Sequence, residues 1–162
     1  MILGMSVSTF TLVHVLLSLI GIFTGLVAVY GFLKGRLLAG WNGVFLVTTI
    51  ATSVTGFLFH SAQFGPPHFV GIVSLVLLGF SVAALYAFNL AGPWRWIYAA
   101  TATLALYLNV FVGVVQAFQK VSFLQPLAPT QSEPPFAIAQ GIVLVIFLAL
   151  TVLASKRLRA FA

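Results

Sequence analysis

Five long apolar segments, separated by short breaks rich in glycine, proline or polar residues, make up most of the chain. A transmembrane helix needs about 20 consecutive, mostly apolar residues. No charged side chain lies inside any of the five segments. The pattern therefore predicts an all-α bundle of five membrane-spanning helices in a single domain, residues 1–162, with spans at about 8–33, 42–60, 68–90, 96–119 and 135–155.

The breaks between the segments carry helix-ending residues. Gly65-Pro66-Pro67 separates spans 2 and 3, and proline is tolerated in the first turn of a helix. Gly92-Pro93 makes a tight link between spans 3 and 4, and Thr130 and Glu133 have capping-box spacing before span 5. The first segment lacks a basic leader and a clear cleavage site, so we expect a true span and not a signal peptide.

The distribution of basic residues predicts the orientation of the bundle, because Lys and Arg accumulate in cytoplasmic loops. With five spans, one side of the membrane holds Lys120 and the other holds the remaining six Lys and Arg residues. We therefore expect the N-terminus outside and the C-terminus in the cytoplasm. Three tryptophans fall at the predicted cytoplasmic interface and agree with this orientation: Trp41, Trp94 and Trp96.

Composition narrows the class of protein further. The chain is 62% hydrophobic and only 5% charged, whereas soluble domains carry about 25% charged residues. A soluble globule and a disordered chain are both excluded, and the lipid bilayer is the first expected partner. The basic excess is a topology signal and not a nucleic-acid-binding surface, since no basic face with interleaved aromatics lies outside the spans.

Candidate chemistry is limited by what the chain lacks. It has no Cys and no Asp, and Glu133 is its only acidic residue. Thiolate metal sites and mechanisms that need paired carboxylates are therefore excluded. No Gly-rich phosphate loop or nucleophile elbow is present. The sequence therefore favours a protein without enzymatic activity, while chemistry on a histidine-bound metal stays open.

Small and polar residues recur at helical spacing within the spans, and in lipid such stripes favour close helix contact. They predict the faces that pack inside the bundle. The predicted stripes are His14, Ser18, Gly21, Gly25 and Ala28 in span 1; Thr49, Ser53, Gly56 and His60 in span 2; His68, Gly71, Leu75 and Gly79 in span 3; Ala105, Asn109, Gly113, Gln116 and Lys120 in span 4; and Ala137 or Gln140 with Gly141 in span 5.

The three histidines fall near the same, outer end of the predicted bundle. His60 ends span 2, His68 begins span 3, and His14 lies about 9 Å below the outer end of span 1 at 1.5 Å per residue. Gln116 reaches the same level from span 4. Polar residues inside spans are energetically expensive and warrant a functional hypothesis. Our leading hypothesis is an accessory or binding protein whose outward-facing pocket, lined by these four residues, holds a small ligand or a partner subunit.

A redox carrier is the second hypothesis, because neutral imidazole binds haem iron and copper. Haem b between two helices would use His14 with His68, which follows a rigid Pro-Pro start, or His14 with His60. A copper or zinc site would need a third ligand from Gln116, Glu133 or the remaining histidine. A third hypothesis is a small transporter or channel, and homo-oligomerisation stays open.

Four sequence segments carry a resemblance to known proteins. They are VHVLLSLIGI (13–22), PPHFVGIVSL (66–75), LNVFVGVVQAFQKV (108–121) and LAPTQSEPPF (127–136). Together they resemble a set of small multi-span inner-membrane proteins of proteobacteria that have no known activity. The resemblance implies a bacterial inner-membrane location and adds no chemistry.

Overall fold

A computed structural model describes residues 1–59 and 63–160 of the chain. Within these residues the regular structure is helical, and the only β-type pairing is an isolated bridge between Ile2 and Met5. A π-helical turn continues the third helix, and a short 3-10 turn precedes the fifth. The five long helices are α1 (Val7–Leu33), α2 (Ala39–Gly56), α3 (Pro66–Val82), α4 (Trp94–Lys120) and α5 (Pro134–Ala160), with the π turn at Ala83–Ala87 and the 3-10 turn at Gln125–Leu127.

The predicted helix breaks lie where the sequence placed them. The hydroxyl of Ser6 accepts a hydrogen bond from the Thr9 N–H and caps α1. Gly92, at φ +52°, turns the chain just before α4. One boundary differs from the prediction: α5 continues to Ala160, so Lys156, Arg157 and Arg159 extend its last turns and do not follow the helix.

Helix length and composition identify an integral membrane protein. In the described part of the chain, four segments are long and apolar enough to cross a membrane: Val7–Leu33, Pro66–Ala87, Trp94–Lys120 and Pro134–Ala160. The 18-residue helix α2 does not belong to this set, because threonines and Asn42 reduce its hydropathy. Four of the five predicted spans therefore meet this criterion, and predicted span 2, which corresponds to α2, does not.

The first four helices form a ring in which each contacts the next, and α4 closes the ring against α1. The remaining helix, α5, packs on the outside against α4 and α1. We call the end of the bundle where α1 and α3 begin and α2 and α4 end the upper end. The lower half of the bundle is filled by buried side chains. There the Tyr98 hydroxyl donates to Asn42 Oδ1 at 2.6 Å, and both side chains are fully buried.

Helix α1 comes close to α2 and α4 at the predicted Gly21-xxx-Gly25 pair. A Cβ on residue 25 would lie 2.6 Å from Leu106 Cδ1 and 2.8 Å from Phe45 Cδ2. A Cβ on residue 21 would lie 2.9 Å from Thr49 Oγ1. Three helices therefore meet where only glycine leaves room, as the stripe on α1 predicted.

On α3 and α5, glycines that the sequence assigned to packing faces do not pack against a neighbouring helix. Gly79 is exposed with open space beside it, and α3 buries Ser74, Leu78 and Ser81 instead. Gly141 on α5 also has no close neighbour. Small residues permit close contact without requiring it, so which face of α3 and α5 packs is decided by the larger residues around them.

The three-helix contact predicts a specific sensitivity to added volume. We expect Gly25→Ala to lower the free energy of unfolding by about 1–3 kcal/mol, because the fully buried Leu106 and Phe45 side chains leave no room for a methyl group. Thermal unfolding followed by circular dichroism in detergent measures this effect. The matched control is Gly79→Ala, which adds the same methyl group into open space and should not lower stability. Equal melting temperatures for the two variants would contradict the packing argument.

Candidate binding cavity

A cavity of about 580 Å³ lies inside the ring of α1, α2, α3 and α4 and reaches the upper end of the bundle. His14, His68 and Gln116, which the sequence assigned to one pocket, all line it, and so does Lys120. The fourth predicted residue, His60, lies outside the described residues. Three helices therefore bring their predicted polar side chains to the same space, and no described residue of α5 lines it.

Below its polar rim the cavity has mostly apolar walls, and its floor is polar again. Asn109 and Thr49 lie at the floor, where Asn109 Oδ1 accepts a hydrogen bond of 2.7 Å from the Ser18 hydroxyl. The Ser53 and Ser74 hydroxyls bond each other at 3.0 Å along one wall. The apolar wall between rim and floor includes Val15, Leu19, Ile22, Leu108 and Val112.

The ring of His14 is held by a hydrogen bond to α2. Its Nδ1 lies 2.8 Å from Thr55 Oγ1, while the Thr55 hydroxyl donates its single proton to the Ala51 carbonyl at 2.7 Å. With its proton on the Ala51 carbonyl, the Thr55 oxygen can only accept from His14, and this arrangement predicts a neutral imidazole that carries its proton on Nδ1. Its Nε2 then has a lone pair that can accept a hydrogen bond or bind a metal. Phe59 packs edge-on against the same ring at 5.1 Å.

His68 is held in the opposite way at the start of α3. Its Nδ1 accepts a hydrogen bond of 3.1 Å from the Gly65 N–H, while the backbone N–H of His68 donates to the Gly65 carbonyl. The neutral imidazole of His68 therefore carries its proton on Nε2. Phe64 stacks on this ring at 4.8 Å. The two histidines thus differ chemically: Nε2 has a lone pair in His14 and a proton in His68.

Lys120 places a positive charge at the rim without a carboxylate in the cavity wall. It lies close enough to His14 for the two groups to interact electrostatically. The only acidic residue of the chain, Glu133, does not line the cavity. Gln116 adds an exposed amide beside Lys120 at the same rim. The rim is therefore positively charged and can bind an anionic group.

The structure places Glu133 in the loop before α5, apart from the histidines that the metal hypothesis joined to it. Its carboxylate accepts hydrogen bonds from the Thr130 hydroxyl at 2.8 Å and the Thr130 N–H at 3.2 Å. The hydroxyl bond lowers the pKa of Glu133 below its usual range. The predicted pairing with Thr130 is present, although it lies one turn ahead of α5, which begins at Pro134.

Across residues 1–59 and 63–160, no three His or acidic side chains form a group that could hold a metal ion.

The segment between α4 and α5 folds back along α4 and does not cover the cavity. Gln131 donates to the Val115 carbonyl and accepts from Gln119, and no residue of 121–133 belongs to the wall. Gln140 likewise turns toward α4, where it donates to the Phe111 carbonyl at 3.1 Å. Gln119 and Gln140 therefore join α4 to the loop and to α5, and neither lines the pocket.

Sequence reasoning missed several wall residues that follow the end of α2 or lie beside a predicted stripe. Phe57 and Phe59 directly follow α2, and both line the cavity. Ser74 lines it from α3, three residues after Gly71 and on the same helical face. The pairing of Ser74 with Ser53 was not visible in the sequence, because it depends on the relative height of α2 and α3.

Comparison of the chain with protein-family models, curated proteins and solved structures found no match. The functional argument therefore depends on the geometry and charge of the cavity alone.

The two hydrogen-bond patterns predict opposite histidine tautomers. We expect nitrogen NMR of histidine-labelled protein, at a pH where the imidazoles are neutral, to find the proton of His14 on Nδ1 and that of His68 on Nε2. Thr55→Val removes the acceptor of the His14 proton and should reduce the Nδ1–H population of His14 while leaving His68 unchanged. Spectra of His14→Gln and His68→Gln assign the signals. A wild-type His14 protonated on Nε2 would refute this hydrogen-bond arrangement.

Proposed function

We propose that this protein is a membrane-embedded binding protein for a small amphipathic molecule with an anionic head group. The observation that carries the proposal is the cavity itself: an apolar space of about 580 Å³ with Lys120 at its rim and no acidic side chain in its wall. Small-molecule sites typically measure about 300–1,000 Å³ and combine apolar walls with a few polar groups. The head would bind at the rim, and the apolar body would extend between the helices.

The rim offers a head group several complementary partners. Lys120 supplies a cation, and the Gln116 amide supplies a second donor beside it. A phosphate monoester monoanion has an anionic oxygen for Lys120 and an O–H that can donate to the lone pair on His14 Nε2. A carboxylate has no O–H, so it would bind through Lys120 and Gln116. Hydrogen bonds to charged groups contribute about 1.5–3 kcal/mol each, so the head can hold the ligand in one orientation.

The haem or copper alternative fits the two described histidines less well. Axial ligation of a metal through His68 Nε2 needs a lone pair there, but the Gly65 N–H bond to Nδ1 leaves the proton on Nε2. His68 would have to give up its bond at the start of α3 to become a ligand. His14 alone has the required lone pair. The amphiphile proposal needs no such rearrangement and is therefore preferred.

We further propose that α2 crosses the membrane, so that the bundle has five spans with the N-terminus outside. At 1.5 Å per residue α2 is about 27 Å long, close to the roughly 30 Å of a bilayer core. The hydroxyls of Thr48, Thr52 and Thr55 each donate to the carbonyl four residues earlier, so these side chains cost less in lipid than their hydropathy indicates. The six-to-one division of basic residues and the resemblance to proteobacterial proteins favour a bacterial inner membrane with the cavity opening outward.

Cysteine labelling tests this topology directly, because the chain contains no cysteine. Single substitutions Gln63→Cys and Ala91→Cys are exposed to an impermeant maleimide in intact cells. We expect labelling at residue 63 and protection at residue 91 until the cells are permeabilised. A third variant, Leu3→Cys, fixes the side of the N-terminus and should be labelled together with residue 63, because two spans then separate them. If α2 did not cross, residues 3 and 63 would lie on opposite sides of the membrane and only one of them would be labelled in intact cells.

Photo-crosslinking tests ligand binding. A laurate analogue with a diazirine on its chain is incorporated into lipid nanodiscs with the protein, and the attachment sites are mapped by mass spectrometry. We expect attachment to the apolar cavity wall, at residues such as Ile22 and Val112, and competition by unlabelled laurate. Lys120→Gln should weaken this labelling about ten-fold, since loss of one charge-assisted hydrogen bond costs about 1.4 kcal/mol or more.

Lys156→Gln is the matched control, because it removes the same charge from the last turns of α5, at the other end of the bundle. It should leave the cavity labelling unchanged. Attachment that is no stronger in the cavity than on the exposed residues Val145 and Leu148 of α5 would overturn the proposed function.

A further inference from the structure

The Thr49 hydroxyl is an exception among the threonines of α2. Thr48, Thr52 and Thr55 donate to the carbonyl four residues earlier, whereas Thr49 Oγ1 has no hydrogen-bond partner within residues 1–59 and 63–160. The side chain is only 1% exposed, and it lines the floor of the cavity. Buried polar groups are almost always paired. A hydroxyl that lacks a partner and borders a ligand-sized space therefore points to a group that binds there.

Further polar atoms converge on the same spot. A Cβ on Gly21 would lie 2.9 Å from Thr49 Oγ1, 3.1 Å from Asn109 Nδ2 and 3.2 Å from Thr48 Oγ1. The glycine thus exposes bare α1 backbone to three polar atoms from α2 and α4. Asn109 Oδ1 is occupied by the Ser18 hydroxyl, while the amide nitrogen makes only a long bond of 3.4 Å to the Ser18 carbonyl. Asn109 therefore has an N–H left to donate beside Thr49.

The floor lies at a defined depth below the charged rim. Asn109 and Lys120 are 11 residues apart on α4 and both line the cavity, which corresponds to about 16 Å along the helix. The wall between them is largely apolar. A ligand whose head binds Lys120 would need a chain of about this length to reach the floor. Such a ligand would meet donors at both ends and a hydrocarbon environment between them.

We propose that the cavity floor is a second polar subsite, in which the Thr49 hydroxyl and the Asn109 amide bind a hydroxyl or carbonyl oxygen at the far end of the ligand. The inference rests on the proposed function and makes it more specific. The ligand is then an anionic chain with a second oxygen at its far end, such as an ω-hydroxy fatty acid, and not a simple fatty acid. Either oxygen type can accept from Asn109, and Thr49 can donate or accept.

Competition in nanodiscs tests the subsite. Laurate and ω-hydroxylaurate are each titrated against the photoreactive laurate analogue in the wild-type protein, in Thr49→Val and in Thr52→Val. Thr49→Val keeps the side-chain shape and removes the hydroxyl. Thr52→Val is the matched control, because this residue also lines the cavity but its hydroxyl is already bonded to the Thr48 carbonyl. Comparing the ratio of the two competitors between variants cancels their different partitioning into lipid.

In the wild-type protein we expect ω-hydroxylaurate to compete about ten-fold more effectively than laurate, after correction for partitioning, as one buried hydrogen bond predicts. The preference should disappear in Thr49→Val and persist in Thr52→Val. Equal competition by both acids in the wild-type protein, or a preference that survives in Thr49→Val, would overturn the subsite while leaving the proposed function standing. If neither acid displaced the probe from the cavity, the proposed function would fail and the subsite with it.

Discussion

The close approach of α1 to α2 and α4 at Gly21 and Gly25 is the contact on which the rest of the bundle depends. In lipid there is little hydrophobic force between helices, so van der Waals contact between closely packed backbones has to supply much of the association energy. The Leu106 and Phe45 side chains fill the space that Gly25 leaves. Below this level the helices form a solid core, and above it they separate enough to enclose the cavity. The position of the glycine pair therefore sets the depth of the binding space.

Hydrogen-bond satisfaction explains how so many polar side chains remain stable in an apolar chain. Most threonines of α2 return their protons to the helix backbone, and Asn42 is matched by the buried hydroxyl of Tyr98. Among the described residues, three buried polar atoms lack a hydrogen-bond partner: Gln140 Oε1 and Ser155 Oγ on α5, which do not line the cavity, and Thr49 Oγ1, which belongs to a residue of its wall. In the cavity wall Thr49 is joined by the incompletely used amide of Asn109 and by the charge of Lys120. These three groups around a ligand-sized space, rather than the number of polar residues, are the reason to assign a binding function to the upper half.

The candidate site was partly accessible from sequence, because helical spacing places residues on a common face whatever the neighbouring helices do. His14, His68 and Gln116 were brought together on that basis, and the structure places all three in one cavity wall. Glu133 was not accessible in the same way, since a loop residue has no periodicity to orient it, and local bonds to Thr130 hold it elsewhere. Gln140 shows that helical spacing alone does not place a side chain in the site. It lies in a helix, but its amide bonds to the backbone of α4 outside the cavity.

By itself the sequence determined the class of the protein, the number of helices and their approximate ends, because hydrophobic length and glycine or proline breaks act locally along the chain. It also determined the small-residue face of α1 that packs against α2 and α4. Only the tertiary structure decided the hydrogen-bond partners of His14 and His68, the exposure of Gly79 and the burial of the Thr49 hydroxyl without a partner among the described residues. These properties depend on the height and rotation of one helix relative to another, and that relation is set by packing between segments far apart in the chain.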